Sequence, residues 1–290
     1  MPAITAADRR TIEVHEGGDA GGVAVVVHHG TPAAGLLYES WLAMAEEQGI
    51  RLIGYDRPGY GGSARAPGRS VADAARDLDA IADGLGLDRY VSWGISGGGP
   101  HVLACAALCD ERLVAVASLA SVAPFDADGL EWFAGMGEAN LEEFGAVLEG
   151  DDAIRAFLER ERETLLAVEP EQLRGALETL LGDADRAVLT GELAAFMVEN
   201  SRHALDGDID GWLDDDFAFV KPWGFDVAAV DRPVLLLQGR DDRFVPAAHG
   251  DWLAARIPNV DARITAEDGH LTLIERRVRE AHEWLLAHVR

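Results

Sequence analysis

Three residues far apart in this chain supply a nucleophile, a base and an acid. Ser96 stands in Gly94-Ile95-Ser96-Gly97-Gly98, a Gly-x-Ser-x-Gly pattern. A serine hydroxyl is a poor nucleophile near neutral pH. It needs an adjacent base, and the base needs an acid that holds it in one tautomer. Asp242 follows in Gly239-Arg240-Asp241-Asp242-Arg243-Phe244-Val245-Pro246, and His270 in Glu267-Asp268-Gly269-His270-Leu271. The order serine, acid, histidine is the one required when the serine sits on a strand-to-helix turn. Asp241, and Asp126 beyond the strand ending at Ala120, compete with Asp242 as the acid.

The flanks of Ser96 predict that turn. Arg89 to Trp93 reads as a short buried strand, and His101 to Leu108 as a small-residue helix. A serine at the tip of such a turn needs unfavourable backbone geometry, and flanking glycines remove the clashes. The following helix points its free N–H groups at any developing oxyanion. Alone, the pentapeptide also fits a Gly-rich turn with an incidental serine; the partners downstream decide between the two.

The rest of the chain supplies the frame. Thr11 to His15 is predicted as a first edge strand, and Val23 to Val27 as a strand buried on both faces. Further strands are expected at Arg51 to Tyr55, Leu113 to Ala120, Pro233 to Gln238 and Ala262 to Thr265. Leu36 to Ala45 keep helical spacing. Ser70 is a suitable N-cap for a helix through Leu85 that Gly86 closes. A helix through Trp252 and Leu253 and a last one from Ile274 to Leu285 complete the alternation, which predicts a mostly parallel, doubly wound α/β sheet. Asp242 and His270 then fall at carboxyl ends of strands, where ligands bind in such sheets. Between Pro124 and about Phe225 only helical patterns are readable. The expected organisation is a core of residues 1–123 and 226–290 with an inserted helical cap, 124–225.

Composition narrows the function classes. The chain has 290 residues, 48% of them hydrophobic, and no run approaching a membrane span, so a sizeable core is expected. With 51 acidic against 25 basic residues the net charge is −26, which disfavours nucleic acid and anionic membranes as partners. That charge reads as a solubility feature, or a sign of a salty habitat, more than as part of a site. Cys105 and Cys109 exclude a disulfide framework and read as buried helix residues. No cofactor motif is present. His15, His203, His249, His282 and His288 lack metal-ligand spacing and read as surface or core residues. The polar start, Met1 to Arg10, lacks an apolar signal core, which points to the cytoplasm. A small-molecule substrate is the expected partner; a monomer and a homodimer are both open.

Five motifs, His29-Gly30-Thr31-Pro32, the loop from Asp56 to Ser63, Gly94-x-Ser96-x-Gly98, the turn from Gly239 to Pro246 and Gly269-His270, resemble those of serine-dependent α/β-hydrolase-fold proteins, over nearly the whole chain. The resemblance implies Ser96 as nucleophile, His270 as base, Asp242 as orienting acid, and the backbone N–H groups of Thr31 and Gly97 as the oxyanion hole. It favours Asp242 over Asp241 and Asp126, because Asp242 holds the place where the family carries the acid. Arg57 resembles a structural loop arginine. His29 is expected to brace its loop, and His101 either to pack the helix or to face the pocket. Of the aromatics Trp132, Phe133, Phe144, Phe157, Phe196, Trp212 and Phe217, two or three are expected to line a pocket.

The implied activity is hydrolysis of an ester, thioester or lactone of a medium-sized apolar molecule through an acyl-enzyme. Iminopeptidases of the family carry His-Gly-Gly-Pro-Gly and Gly-Gly-Ser-Trp-Gly where this chain has His29-Gly30-Thr31-Pro32-Ala33 and Gly94-Ile95-Ser96-Gly97-Gly98. Peptidase or amidase action of the iminopeptidase type, cofactor-free haloperoxidase chemistry, carbon–carbon bond hydrolysis, acyl transfer or cyclisation, and ligand reception without hydrolysis are the alternatives that the resemblance leaves open.

Overall fold

The computed structural model describes residues 3–289; Met1, Pro2 and Arg290 lie outside them. An eight-stranded sheet is assembled from β1 (Ala3–Thr5), β2 (Thr11–Gly18), β3 (Val23–His28), β4 (Ile50–Tyr55), β5 (Tyr90–Ile95), β6 (Leu113–Leu119), β7 (Val234–Gly239) and β8 (Val260–Thr265). The order across the sheet is β1-β2-β4-β3-β5-β6-β7-β8. β2 runs antiparallel to both β1 and β4, and every later pairing is parallel.

One expectation needs correction. Thr11 to His15 begins a strand, but β1 lies outside it and forms the edge. β1 is three residues long, too short for its alternation to stand out in the sequence.

Successive side chains of a strand point to opposite faces, and the valines of β3 show it. Val26 joins a cluster with Leu78 and Ile81 of α2 (Ala74–Leu85) and Leu103 of α3 (Gly98–Leu108). Val25 and Val27 join the opposite cluster, with Trp41 of the first helix (Glu39–Gln48) and Ala281 and Leu285 of the last (Val278–Val289). Helices on both faces leave no polar side to the sheet, which is why β3 reads as an unbroken apolar run. Ahead of α2 the Asp73 carboxylate accepts from the Ser70 N–H and hydroxyl, and Gly86 closes the helix in the left-handed region (φ 65°). Cys105 and Cys109 are buried free thiols.

Among the described residues, 124–225 contain no strand. They form α4 (Glu138–Glu149), α5 (Asp151–Ala167), α6 (Leu173–Ala176), α7 (Asp183–Val188), α8 (Gly191–Leu205) and α9 (Asp210–Val220). The chain then re-enters the sheet at β7. None of the helices among the described residues is long and apolar enough to cross a membrane.

Candidate active site

Every candidate residue follows the carboxyl end of a strand. β5 occupies the centre of the sheet, between β3 and β6, and delivers Ser96. Ser96 has φ 55°, a left-handed conformation disfavoured for a residue with a side chain. The turn is tight enough that a β-carbon on Gly94 would strike the Gly98 carbonyl, and one on Gly98 the carbonyl of His28. Only glycine fits at those two positions. α3 begins at Gly98, three residues before the expected start, since proline at position 100 is tolerated in a first turn.

β7 and β8 deliver the other two groups. His270 Nδ1 lies 2.8 Å from Asp242 Oδ2. Asp242 is buried, and its Oδ1 accepts from the N–H groups of Phe244 (2.9 Å) and Val245 (2.8 Å). As the acceptor in all these bonds, Asp242 leaves the proton on His270 Nδ1 and the Nε2 lone pair open. Burial lowers the His270 pKa, but the adjacent Asp242 carboxylate outweighs it and holds the imidazole above its ordinary 6.5. Phe244 stacks on the ring at 4.5 Å between centroids. Asp241 turns away to accept from the Ala184 N–H, and Asp126 is exposed. Ser96 and His270 line one cavity of about 140 Å³. Among the described residues no hydrogen bond yet joins the Ser96 hydroxyl to His270.

β3 delivers Thr31 beside Gly97, so close that a β-carbon on Gly97 would collide with Thr31 Oγ1. Neither of their backbone N–H groups donates to a backbone carbonyl outside the regular elements. The loop carrying Thr31 is tied down from below. Arg57, fully buried, donates to the carbonyls of His29 and Gly30 and to Thr31 Oγ1. His29 braces the same loop, with Nδ1 2.8 Å from the Gly30 carbonyl and Nε2 accepting from the Arg57 N–H at 3.1 Å. Burial and Arg57 hold its pKa well below the usual range, so it stays neutral. His101 packs on α3 with Nδ1 2.6 Å from the Gly97 carbonyl; burial pushes its pKa down to about 3.

The helical segment supplies residues that the motifs did not single out. Asp215 of α9 pairs with Arg57 Nη2 and Arg69 Nη1, each at 2.6 Å, and accepts from the hydroxyls of Thr31 (2.7 Å) and Tyr60 (2.9 Å). Burial would raise its pKa; the two guanidinium groups overcome that and hold it well below the carboxylate range. Asp185 of α7 accepts the N–H groups of His270 (2.8 Å), Leu271 (2.7 Å) and Thr272 (3.1 Å), which fixes the histidine loop. Asn200 of α8 exchanges hydrogen bonds with the Ala34 backbone. No spacing rule links these residues to Ser96. A cluster of aspartates at 214–216 inside an otherwise apolar helix was the available signal.

The structure also qualifies two sequence readings. Some of the acidic residues counted in the net charge, Asp185, Asp215 and Asp216, are buried around the site and do not belong to a solvated surface. His15 and His203, distant in sequence, meet at Asp56, with Nε2 to carboxylate distances of 3.1 and 3.2 Å. The same carboxylate accepts the N–H groups of Gly35 and Gly62, so it anchors the loop that carries Arg57. Of the seven aromatics singled out, Phe196 lines the larger cavity and Phe144 a second one; Phe219 and Phe244 were not among them.

An open, mostly parallel sheet with a serine on the turn after its central strand, opposite a histidine–aspartate pair, defines the class. The profile of the alpha/beta hydrolase fold family matches residues 23–277, and this chain belongs to that family. It is similar to a non-heme chloroperoxidase of Streptomyces lividans, 28% identical over 86% of this chain and 84% of the relative. Among solved structures it resembles a bromoperoxidase from Bacillus anthracis, with TM-score 0.70, 23% identity and 98% of each chain covered. It also resembles a thermophilic esterase from Thermogutta terrifontis, with TM-score 0.67, 23% identity, and 100% and 99% of the two chains covered.

Proposed function

We propose that this chain is a serine hydrolase that cleaves an ester, thioester or lactone of a small, largely apolar molecule. The supporting observation is the placement of Ser96 and His270 on one apolar-walled cavity, with His270 Nδ1 on the buried Asp242. Ser96 Oγ attacks the carbonyl carbon and its proton passes to His270 Nε2, with the imidazolium stabilised by Asp242. The developing oxyanion meets the N–H groups of Gly97 and Thr31, the donors of an oxyanion hole. Collapse of the tetrahedral species breaks the bond to the leaving group, which takes the proton from His270. Water, deprotonated by His270, then attacks the acyl-enzyme and releases the acid and Ser96. Residues 124–225 act as an inserted cap over a core of 1–123 and 226–290: α8 walls the cavity, through Phe196, Met197, Asn200 and Ser201, and selects the substrate.

The test is labelling by a fluorophosphonate probe, located by mass spectrometry, together with turnover of ester panels that vary the acyl and the alcohol part. Labelling confined to Ser96 with turnover is the expected result. Ligand binding without labelling would overturn the assignment and leave a receptor.

The likeness to a chloroperoxidase favours a second reading of the same site. Hydrogen peroxide in place of water at the acyl-enzyme would release a peracid, which oxidises halide. Halogenation of monochlorodimedone that requires a carboxylic acid, peroxide and Ser96 checks it.

A further inference from the structure

Ser96 opens onto two cavities of different character. The larger is walled by apolar groups and holds His270. The smaller, about 60 Å³, shares Thr31, Ser96 and Phe244 with it and lies under α4 and α9. Its wall is apolar except for Asn140, Thr31 and two carboxyl groups, Glu143 and Asp216. Asn140 spends its amide on the Phe244 carbonyl, and the Thr31 hydroxyl donates to Asp215.

Asp216 is 1% exposed, and apart from the proton it shares with Glu143 its oxygens meet no donor. Glu143 receives one bond, from Trp212 Nε1 at 2.6 Å. Burial drives the Glu143 pKa up to about 7, against the hydrogen bonds with Trp212 and Asp216 that lower it; burial, then Glu143 and Asp215, drive that of Asp216 well above the carboxylate range. Two such groups side by side hold one proton between them and one negative charge. A buried negative charge with no free cation beside it is costly, so a carboxyl pair of this kind in a cavity beside a nucleophile has a cationic ligand to explain it. Arg57 and Arg69, the cations nearby, are committed to Asp215.

The position of His270 assigns the two cavities. The leaving group must reach His270 for its proton, and His270 lines only the larger of the two. The smaller cavity therefore takes the acyl side. Its volume is about two waters' share of liquid, enough for one or two heavy atoms. We propose that Glu143 and Asp216 form an acidic subsite that receives the primary ammonium of a short amino-substituted acyl group, a proposal that rests on Ser96 being the nucleophile. The ammonium supplies three donors to the carboxyl oxygens and one positive charge to the pair. The preferred substrate joins a small aminoacyl group to an apolar leaving group.

The test compares L-alanine benzyl ester with benzyl propionate at pH 7, each kcat/KM divided by the ester's own hydroxide-catalysed rate. The expected ratio favours the alanine ester at least tenfold and falls at least tenfold in Glu143→Gln and in Asp216→Asn. A ratio of one or below, or a ratio unchanged in both variants, would overturn the subsite. A binding measurement separates this from the reading of Ser96. In Ser96→Ala, L-alaninamide should raise Tm more than propanamide, and adding Asp216→Asn should abolish the difference. Equal shifts would overturn the subsite whether or not the enzyme turns over. Failure of the fluorophosphonate to label Ser96 would count against the nucleophile alone.

Discussion

The two walls of the site are built on different principles. The sheet-side wall presents Ser96, His270, Thr31 and Gly97 from loops at the ends of parallel strands, each fixed by backbone hydrogen bonds and tight glycine contacts. The helical wall contributes apolar side chains and buried carboxyl groups that grip those loops from the other side. Within that wall the contrast recurs between consecutive residues of α9. Asp215 meets two guanidinium groups and stays ionised; Asp216 meets a second carboxyl group and does not. Burial is nearly the same for both, so the charge of the neighbours alone decides the protonation state. The sheet side is arranged to react, the helical side to hold and to choose.

Substitutions on the sheet side should cost the most. Ser96→Ala should lower kcat by about a millionfold while circular dichroism stays that of the parent, since the members of such a triad act as a unit. Asp242→Asn should cost about ten-thousandfold through the wrong imidazole tautomer. Asp241→Asn and Asp126→Asn should each stay within about tenfold, because neither touches His270. A near-normal Asp242→Asn enzyme beside a dead Asp126→Asn enzyme would reverse the assignment. The pH profile sharpens this. His270 must be neutral to act as a base, and Asp242 raises its pKa, so the acid limb of kcat/KM should lie above pH 6.5 in the parent. In Asp242→Asn the imidazole pKa falls, so the residual activity should hold its plateau to a lower pH before that limb appears.

The neighbours on α9 should separate in stability measurements. Asp215→Asn strands Arg57 and Arg69 without their carboxylate. Removing one partner of a buried pair costs about 3–5 kcal/mol, readable as a fall in urea midpoint. The pair at Glu143 and Asp216 works in the opposite sense. Their pKa values are raised on folding, so their contribution is fully present below the ordinary carboxylate range. It is lost as pH rises, for Glu143 between 4.5 and about 7. Glu143→Gln should flatten the decline of Tm over that window. If Asp215→Asn instead left stability unchanged, the contrast between the neighbours would fail.

The smallest effect belongs to the apolar part of the helical wall. Phe196→Ala should shift preference among esters of increasing alcohol size by about tenfold, the order that a methylene commands in an apolar pocket. An unchanged preference would remove α8 from substrate selection.

The chain order of motifs, the alternation of apolar runs with helical patterns and the glycines around Ser96 determine the sheet and the family without coordinates. These signals are local: a parallel strand buried on both faces has to be apolar throughout, and a sharp turn has to carry glycine. The short edge strand β1 escaped because three residues hold no period. Asp215, Asp185, Asn200 and the pair Glu143–Asp216 escaped for another reason. Aspartate on a helix reads as solvated, and only the packing of α4, α7, α8 and α9 against the loops turns those side chains inward. In the same way His15, Asp56 and His203 converge across 188 positions of sequence numbering. What a carboxyl group does inside this protein is set by the charge and the donors that folding places around it, and those are properties of the tertiary structure alone.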